Sequence, residues 1–380
     1  MKSLGIITHN FPINLKDRQN AGIFVCDLAQ ELAKNRKVAV FCPADGKREK
    51  KIGRVSIASF PILANKKFSD FKPWNPLDVL RFFTIFISGS RHLFSYLNNY
   101  KIDINVVMWA FPSGVFAYLA KKIYKVPYLV WCLGSDIYVY GKYPIIGFVV
   151  KEILKSADYI FADGIDLARQ TTKLSGKRCI FLPSASKAEF RKNVPIKKNR
   201  NKITLTFIGR MEMVKGPDIF LNALGLIKND IRKFKVNFVG GGSLLEKLKK
   251  KAKEENINKE IYFYGNISDF QKISEIMQGS DWLIIPSRSD SIPLVFSEAM
   301  KTQTPVIASD LPDLKYLVEK YRVGLLFNKE NGEILAKTLK KLVFLKKEQR
   351  MFSLNCKKAA KDFSLKVSTS RLMGYIEEVI

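Results

Sequence analysis

Short apolar runs alternate with stretches of helical spacing along most of the chain. In the first half the runs are LGIIT (4–8), KVAVFC (37–42), VSIASF (55–60), IDINVVM (102–108), PYLVWC (127–132), YIFA (159–162) and RCIFL (178–182). PYLVWC and YIFA are apolar throughout rather than at every second position. That is the signature of strands covered on both faces, and the helical spacers between them predict a mostly parallel sheet. A polar segment, SASKAEFRKNVPIKKNRNK (184–202), interrupts the rhythm with Pro195 inside it and reads as a linker. The alternation then restarts with ITLTFIG (203–209), KVNFVGG (235–241), EIYFYG (260–265), DWLIIP (281–286), PVIAS (305–309) and VGLLF (323–327). Residues 332–379 keep helical spacing, with breaks expected near Lys347 and Phe363. The pattern predicts two α/β domains joined by a linker, with ligands bound in a cleft at the carboxyl ends of both sheets.

The segment PLDVLRFFTIFISGSRHLFSYLNNY (76–100) stands apart. Leu80, Phe83, Phe86 and Ile87 recur at helical spacing, Phe82 and Ile85 widen the apolar face, and GKREKKIGR (46–54) and NKKF (65–68) precede it. Two readings are open: a core helix beside solvated loops, or a partly exposed apolar face rimmed by lysines that could lie on an anionic membrane surface.

Composition narrows the class. The chain has 380 residues with 47% apolar residues and 27 Phe, ample for packed interiors. Lys and Arg outnumber Asp and Glu by 64 to 35, and the excess is even, 28 against 14 in residues 1–190 and 36 against 21 in 191–380. A nucleic-acid tail would concentrate its charge, so no nucleic-acid partner is expected, and an even excess favours smaller anionic partners or a lipid surface. The five cysteines are far apart and there are two histidines, a set unsuited to clamping a metal. Cys26, Cys42, Cys132 and Cys179 lie in apolar surroundings and are expected as buried thiols in a reducing cytoplasm. The start, MKSLGIITHNFP, is too quickly polar for a signal peptide, and no apolar run reaches the roughly 18 residues of a membrane span. A cytoplasmic protein, soluble or peripheral on the membrane, is expected.

Three segments carry candidate chemistry. FIGRMEMVKG (207–216) leaves a strand at Gly209 and offers Arg210 and Lys215 before a helix expected near Pro217. A planar fork and a mobile ammonium beside a tight turn suit a diphosphate, and the same residues could form an ordinary charged loop. FVGGGSLLEKL (238–248) also runs from strand to helix, where free amides could face an anion, but it lacks the GxGxxG spacing and reads equally as tight turn packing. In SRSDSIPLVFSEAM (287–300), Pro293 suits the first turn of a helix carrying Glu298. The amides from Ser291 through Ile292, Pro293 and Leu294 to Val295 would then surround negative charge, Pro293 lending only its fixed φ, while Asp290 and Glu298 could accept hydroxyls. Phosphates at the amides and hydroxyls at the acids describe a sugar-nucleotide site.

At this point the sequence resembles the large retaining glycosyltransferase family 4, whose fold is GT-B: two Rossmann-like α/β/α domains facing each other across a deep cleft, with a C-terminal helix returning to the first domain. The resemblance rests on FP…AGIFVCDLAQELA (11–33), LGSD (133–136), FIGRMEMVKG (207–216), YFYGNI (262–267) and above all D-x7-E from Asp290 to Glu298, followed by AMKTQTPVIAS. It implies an acceptor-binding domain at 1–190, completed by 364–380, and a nucleotide-sugar domain at 200–363. It implies transfer of a hexose, with retention, from a UDP- or GDP-hexose to a glycan or lipid-linked saccharide, as in cell-surface polysaccharide or lipopolysaccharide assembly. Arg210 and Lys215 would hold the donor diphosphate, Asp290 the donor sugar and Glu298 the ribose. Gly22, after Ala21, and Gly209 would allow close backbone approach, and Gly265, Asn266 and Ile267 would form the turn at the base. Catalysis would fall to Arg210, Lys215 and Asp290, which stabilise or orient the departing diphosphate-sugar.

The chain departs from the family at Asp290, where Glu is usual, and at Leu133, where many members carry His. No cofactor or metal is expected: an Asp-x-Asp at a strand end is missing, and two cations already meet the phosphates. On the acceptor side His9 could touch a ligand or hold its loop, Arg18 could meet a phosphate or only solvent, and Asp136 could accept an acceptor hydroxyl or cap the next helix. Two other functions stay open: a catalytically degenerate nucleotide-sugar or glycan-binding partner subunit, and an epimerase or sugar-phosphate synthase on the same fold. Oxidoreductase chemistry is disfavoured, because the first strand leads into THNFP rather than a GxGxxG turn.

Overall fold

The computed structural model describes residues 2–12, 22–44, 50–62, 75–185 and 201–380. Arg18, Ala21, Pro195 and most of the two basic segments 46–54 and 65–68 lie outside them, as do the side chains of Pro76, Asp78, Val79, Arg81 and Phe82. The chain divides into two compact units, Met1–Pro183 with Leu365–Ile380, and Ser184–Ser364.

The first unit runs β1 (Ser3–Ile7), α1 (Ile23–Leu32), β2 (Lys37–Ala44), β3 (Lys51–Ile52), β4 (Val55–Pro61), α2 (Pro76–Tyr100), β5 (Ile102–Met108), α3 (Gly114–Tyr124), β6 (Tyr128–Cys132), α4 (Ser135–Tyr138), α5 (Pro144–Ser156), β7 (Tyr159–Ala162), α6 (Ile165–Ser175) and β8 (Cys179–Phe181). Its sheet has the order β3-β4-β2-β1-β5-β6-β7-β8. The pairings are parallel except that of β3 with β4. The apolar runs become strands for the reason they are apolar: β1 and β6 are buried along their full length.

The second unit runs β9 (Ile203–Ile208), α7 (Pro217–Leu226), β10 (Phe234–Val239), α8 (Leu245–Glu254), β11 (Ile261–Gly265), α9 (Phe270–Gln278), β12 (Trp282–Ile285), α10 (Leu294–Lys301), β13 (Val306–Ser309), α11 (Pro312–Tyr321), β14 (Gly324–Phe327), α12 (Gly332–Lys341) and α13 (Lys346–Ala359). Its sheet is wholly parallel in the order β11-β10-β9-β12-β13-β14. The order reverses beside β9: the chain steps outward from β9 to β11, then returns to place β12 on its other side. Such a switch leaves the loops after β9 and β12 diverging at the carboxyl edge, where open α/β sheets bind ligands.

The last helix, α14 (Leu365–Val379), belongs to the first unit. Ser368 Oγ donates to the Pro183 carbonyl at 2.8 Å, Tyr375 packs on Tyr159 and Phe161, and Glu377 pairs with Arg36 at 2.9 Å.

Helix α2 reconciles the two readings of its apolar pattern. Ile85, Leu93, Tyr96 and Leu97 are buried, the last three being residues that the repeat from Leu80 to Ile87 did not mark. Leu80, Phe83 and Ile87 are 62%, 58% and 54% exposed. Both faces of the helix are therefore apolar, and one of them faces outward. Cys179 is half-buried, against the expectation of a buried thiol, because β8 is the sheet's edge. Among the described residues no helix is long and apolar enough to cross a membrane.

Candidate active site

In the second unit, β9 delivers Gly209 to the carboxyl edge, and backbone bonds then tie the emerging loop to its neighbours. Gly209 N–H donates to Val239 O (3.0 Å), Met211 N–H to Gly241 O (2.8 Å), and Leu244 N–H to Met211 O (2.9 Å). Gly240 adopts φ 127°, and a Cβ there would sit 1.9 Å from the Gly209 carbonyl oxygen, so only glycine lets the two loops touch. Buried Met211 and the Glu212 carboxylate, which accepts from Ser243 N–H (2.9 Å) and Oγ (2.6 Å), complete the anchoring. Arg210 is the exposed residue between these anchors.

Beyond them a short turn, Met213–Lys215, leads to Gly216 at φ 66°, whose Cβ position lies 1.9 Å from Pro286 O. That contact brings the loop against the one leaving β12. Here Lys215 Nζ donates to both carboxylate oxygens of Asp290, at 2.8 and 2.7 Å, with side-chain exposures of only 23% and 17%. The expectation gave these residues separate tasks; in the structure they are partners.

Arg288, which the sequence did not single out, binds the same pair of loops. Its N–H donates to Val214 O (2.9 Å), and its guanidinium donates to Met213 O (2.6 Å) and as a fork to Asp218 (2.8 and 2.6 Å). Burial works to raise the Asp218 pKa, but the Arg288 hydrogen bond and charge prevail and hold it below the usual value. No sequence signal distinguishes Arg288 from the chain's other cations, because its partner lies 70 residues away.

Pro293 is the cap residue of α10 rather than part of its first turn: its backbone is extended, and the helix begins at Leu294. The amides of Leu294 and Val295 precede any possible i−4 acceptor within the helix. The cap residue, a proline, offers no side-chain hydrogen bond to this end, and no acid sits in its first turn. The helix therefore presents partial positive charge close in sequence to Asp290. Ser291 and Ile292 are buried, and Glu298, one turn into α10, is half-buried. Gly265 (φ 64°) accepts from Gly240 N–H at 2.8 Å, and Asn266 lies against Gly241. The three loops after β9, β10 and β11 are thus knit together, while Ile267 is half-buried beyond them.

In the first unit, His9, Trp109 and Asp136 follow the carboxyl ends of β1, β5 and β6, which are adjacent strands. His9 Nδ1 lies 3.0 Å from Ser113 Oγ and its ring packs on Trp109 at 4.7 Å. Burial pushes the imidazole down to about 3, so His9 is neutral near pH 7. Trp109 is left-handed at φ 66°, a strained conformation for a bulky residue and a feature the sequence did not disclose.

Asp136 does not point outward for an acceptor hydroxyl. It is fully buried, with Oδ2 accepting from Ala110 N–H (2.8 Å) and Oδ1 from Leu133 and Gly134 N–H (3.2 and 3.0 Å). It ties the loop after β6 to the loop after β5. Burial pushes its pKa up to about 6 against the opposing pull of those amides. Gly22 starts α1 with a Cβ position 2.1 Å from the Asn10 carbonyl oxygen, so packing within its own loop already demands glycine there. Arg18 lies outside the described residues. Among the described residues no group of three or more His, Cys, Asp or Glu could hold a metal ion.

Residues 186–359 match the family described as glycosyl transferases group 1, a stretch that overlaps most of the second unit. The chain is 27% identical to an uncharacterized glycosyltransferase of Methanocaldococcus jannaschii over 71% of its own length and 77% of that protein. It is 25% identical to the putative teichuronic acid biosynthesis glycosyltransferase TuaC of Bacillus subtilis, over 62% of this chain and 60% of that one. Among solved structures it is similar to the sucrose-phosphate synthase of Thermosynechococcus elongatus, with TM-score 0.79, 16% identity and coverage of 100% and 99%. It is also similar to Anabaena HepE in complex with UDP-glucose, with TM-score 0.75, 15% identity and full coverage of both chains. These likenesses identify the fold: two parallel-sheet α/β domains of the GT-B kind.

Proposed function

We propose that the chain is a retaining glycosyltransferase of family 4 that binds a nucleotide-diphospho-sugar on its second unit and transfers the hexose to a glycan or lipid-linked saccharide. The observation that carries this is the junction after β9 and β12: Lys215 against Asp290, exposed Arg210 on a rigid loop, and the start of α10. Cations and free amides on rigid loops fit an anion, and their place at the sheet's switch point fits a nucleotide. The UDP-glucose complex of HepE supports a UDP-sugar donor, and the teichuronic acid role printed for TuaC supports polysaccharide assembly.

On this reading the bond from the sugar's anomeric carbon to the diphosphate oxygen breaks while a bond to the acceptor oxygen forms on the same face. The acceptor's proton passes to the departing phosphate oxygen. Arg210, Lys215 and the Leu294 and Val295 amides meet the negative charge that grows on the diphosphate, without a metal ion. Asp290 orients the sugar, Glu298 the ribose, and the turn at Gly265, Asn266 and Ile267 the base. Neutral His9 is a hydrogen-bonding group toward the acceptor rather than an ionic one. The protein is assigned to the cytoplasm, with the exposed face of α2 against an anionic membrane surface.

The test is a thermal-shift screen of UDP-, GDP- and ADP-hexoses followed by a labelled-transfer assay with the hit, since a ligand of the native state alone raises the midpoint. A shift for one donor, transfer with retained anomeric configuration, and loss of both with Lys215→Ala are expected. Turnover unchanged in Lys215→Ala would overturn the proposal. Donor binding without transfer would point to a binding subunit, and conversion of the donor without an acceptor to an epimerase.

A further inference from the structure

Arg288 touches the donor loop on both sides of Lys215. Its backbone N–H and guanidinium take the carbonyls of Val214 and Met213 just before the lysine, and its fork takes Asp218 just after, in the first turn of α7. Lys215 itself reaches back to Asp290, two residues beyond Arg288. Four donor contacts from Arg288 therefore converge on the six-residue stretch 213–218, and the planar guanidinium makes three of them at once, to Met213 O and to both carboxylate oxygens of Asp218. The arrangement also has an electrostatic consequence: the guanidinium engages the Met213 carbonyl and the Arg288 backbone N–H the Val214 carbonyl, so neither leaves its negative end open beside the ammonium that would meet phosphate.

We propose that Arg288 is a positioning residue for the reaction. It clasps the 213–218 loop to the loop after β12, so that Lys215 is held where the donor diphosphate binds. The inference rests on the donor reading above, and its failure can be told apart from failure of that reading. A surface ion pair with no such role would affect stability alone.

The experiment uses the full chain as wild type, Arg288→Ala, Arg288→Lys and Asp218→Asn. Hydrogen exchange of the ligand-free proteins reports the clasp directly, and calorimetry with UDP, GDP and ADP reports its consequence for binding. Expected are faster exchange across 211–218 in Arg288→Ala and a loss of affinity of roughly 10- to 50-fold for the best nucleoside diphosphate, as for one lost set of charge-assisted contacts. Lysine can satisfy one partner but not the fork, so Arg288→Lys should recover part of both effects, and Asp218→Asn should fall between. Should Arg288→Ala fail to fold, the lysine and Asp218→Asn variants carry the same comparison.

Unchanged exchange across 211–218 overturns the clasp. Faster exchange with undiminished affinity overturns the positioning role. If wild type binds none of the three diphosphates, the donor reading and the positioning role fall together, and exchange still decides whether the clasp exists.

Discussion

Asp290 accepts from Lys215 at 2.8 and 2.7 Å and, on the proposed reading, should oppose the diphosphate that Lys215 would bind. An ammonium shared between this carboxylate and a phosphate would place the two anions about 5 Å apart. At an effective dielectric constant near 20 a pair of unit charges at that separation repels by about 3 kcal/mol, and by about half that where water penetrates. The pair's side-chain exposures of 23% and 17% put it between these limits. Replacing Asp290 with Asn removes the repulsion and releases the lysine, whose regained rotamer freedom costs up to about 2 kcal/mol on binding. The balance favours the ligand by about 1 kcal/mol, or roughly fivefold. Lys215→Ala should act oppositely: it forfeits a charge-assisted hydrogen bond of about 1.5–3 kcal/mol and leaves Asp290 unpaired beside the phosphates. Titration calorimetry of Asp290→Asn should therefore show UDP, GDP or ADP bound more tightly than by wild type, while sugar transfer from the intact donor falls because an oriented carboxylate is lost. If Asp290→Asn weakens diphosphate binding as much as Lys215→Ala does, the carboxylate is an organiser of the phosphate site and this reasoning is wrong.

Other outcomes follow from single contacts. Gly240→Ala must move the Gly209 carbonyl, which lies 1.9 Å from the new Cβ; a cost of about 1–3 kcal/mol should lower the melting temperature by roughly 2–4 °C per kcal/mol and weaken diphosphate binding. His9 and Asp136 should tilt the pH dependence of stability in opposite directions. The folded-state value of His9, about 3, is below its ordinary one, so its contribution is present above pH 6.5 and is lost as pH falls. Asp136, raised to about 6, contributes fully below its ordinary value of 3.8 and loses that contribution as pH rises through 6. Melting curves between pH 4 and 7 should show wild type losing ground to His9→Gln as pH is lowered and gaining on Asp136→Asn; parallel curves would refute both assignments. Replacing Leu80 and Phe83 with Ser should reduce sedimentation with anionic vesicles while changing stability by less than about 0.5 kcal/mol, as expected for exposed positions; undiminished sedimentation would remove α2 from the membrane proposal.

The fold was legible because its physics is local. Buried parallel strands favour continuous apolar runs, and β6, β7 and β12 have them, while β5 and β9 interrupt theirs with Asp103, Asn105, Thr204 and Thr206. What escaped was either too short to have a pattern or made of long-range pairs. The two-residue strand β3 and the four-residue helix α4 bury too little to leave a period. In α2 Leu80, Phe83 and Ile87 of the marked repeat face outward while Phe86 packs on Phe111 and Phe116 and the buried face adds Leu93, Tyr96 and Leu97, because periodicity finds an apolar face without saying which side the core takes. Arg210, Lys215 and Asp290 could be named because they lie in loops that leave strand ends, and Glu298 by its place in the D-x7-E pattern. Their pairing could not: the ion pair joins residues 75 apart, and the Arg288 fork joins residues 70 apart. Asp136 misled for the same reason, since its decisive partner, Ala110, comes from another loop.

The pairing changes how the chain's charge should be understood. A net charge of +29 suggests affinity for any anion, yet at the junction Lys215 is neutralised by Asp290 and Arg288 by Asp218. Arg210 is exposed and makes no ion pair among the described residues. Long-range attraction from the surface lysines is screened within about 8 Å at physiological salt, so it speeds encounter more than it selects a ligand. Selection then falls to short-range geometry: an anion must displace or share Asp290, reach Arg210 and meet the α10 amides together. A bare anion that makes only one of these contacts gains little over water. On the proposed reading a diphosphate, longer than inorganic phosphate, would make several of them, and the preference for it within so basic a surface would come from that.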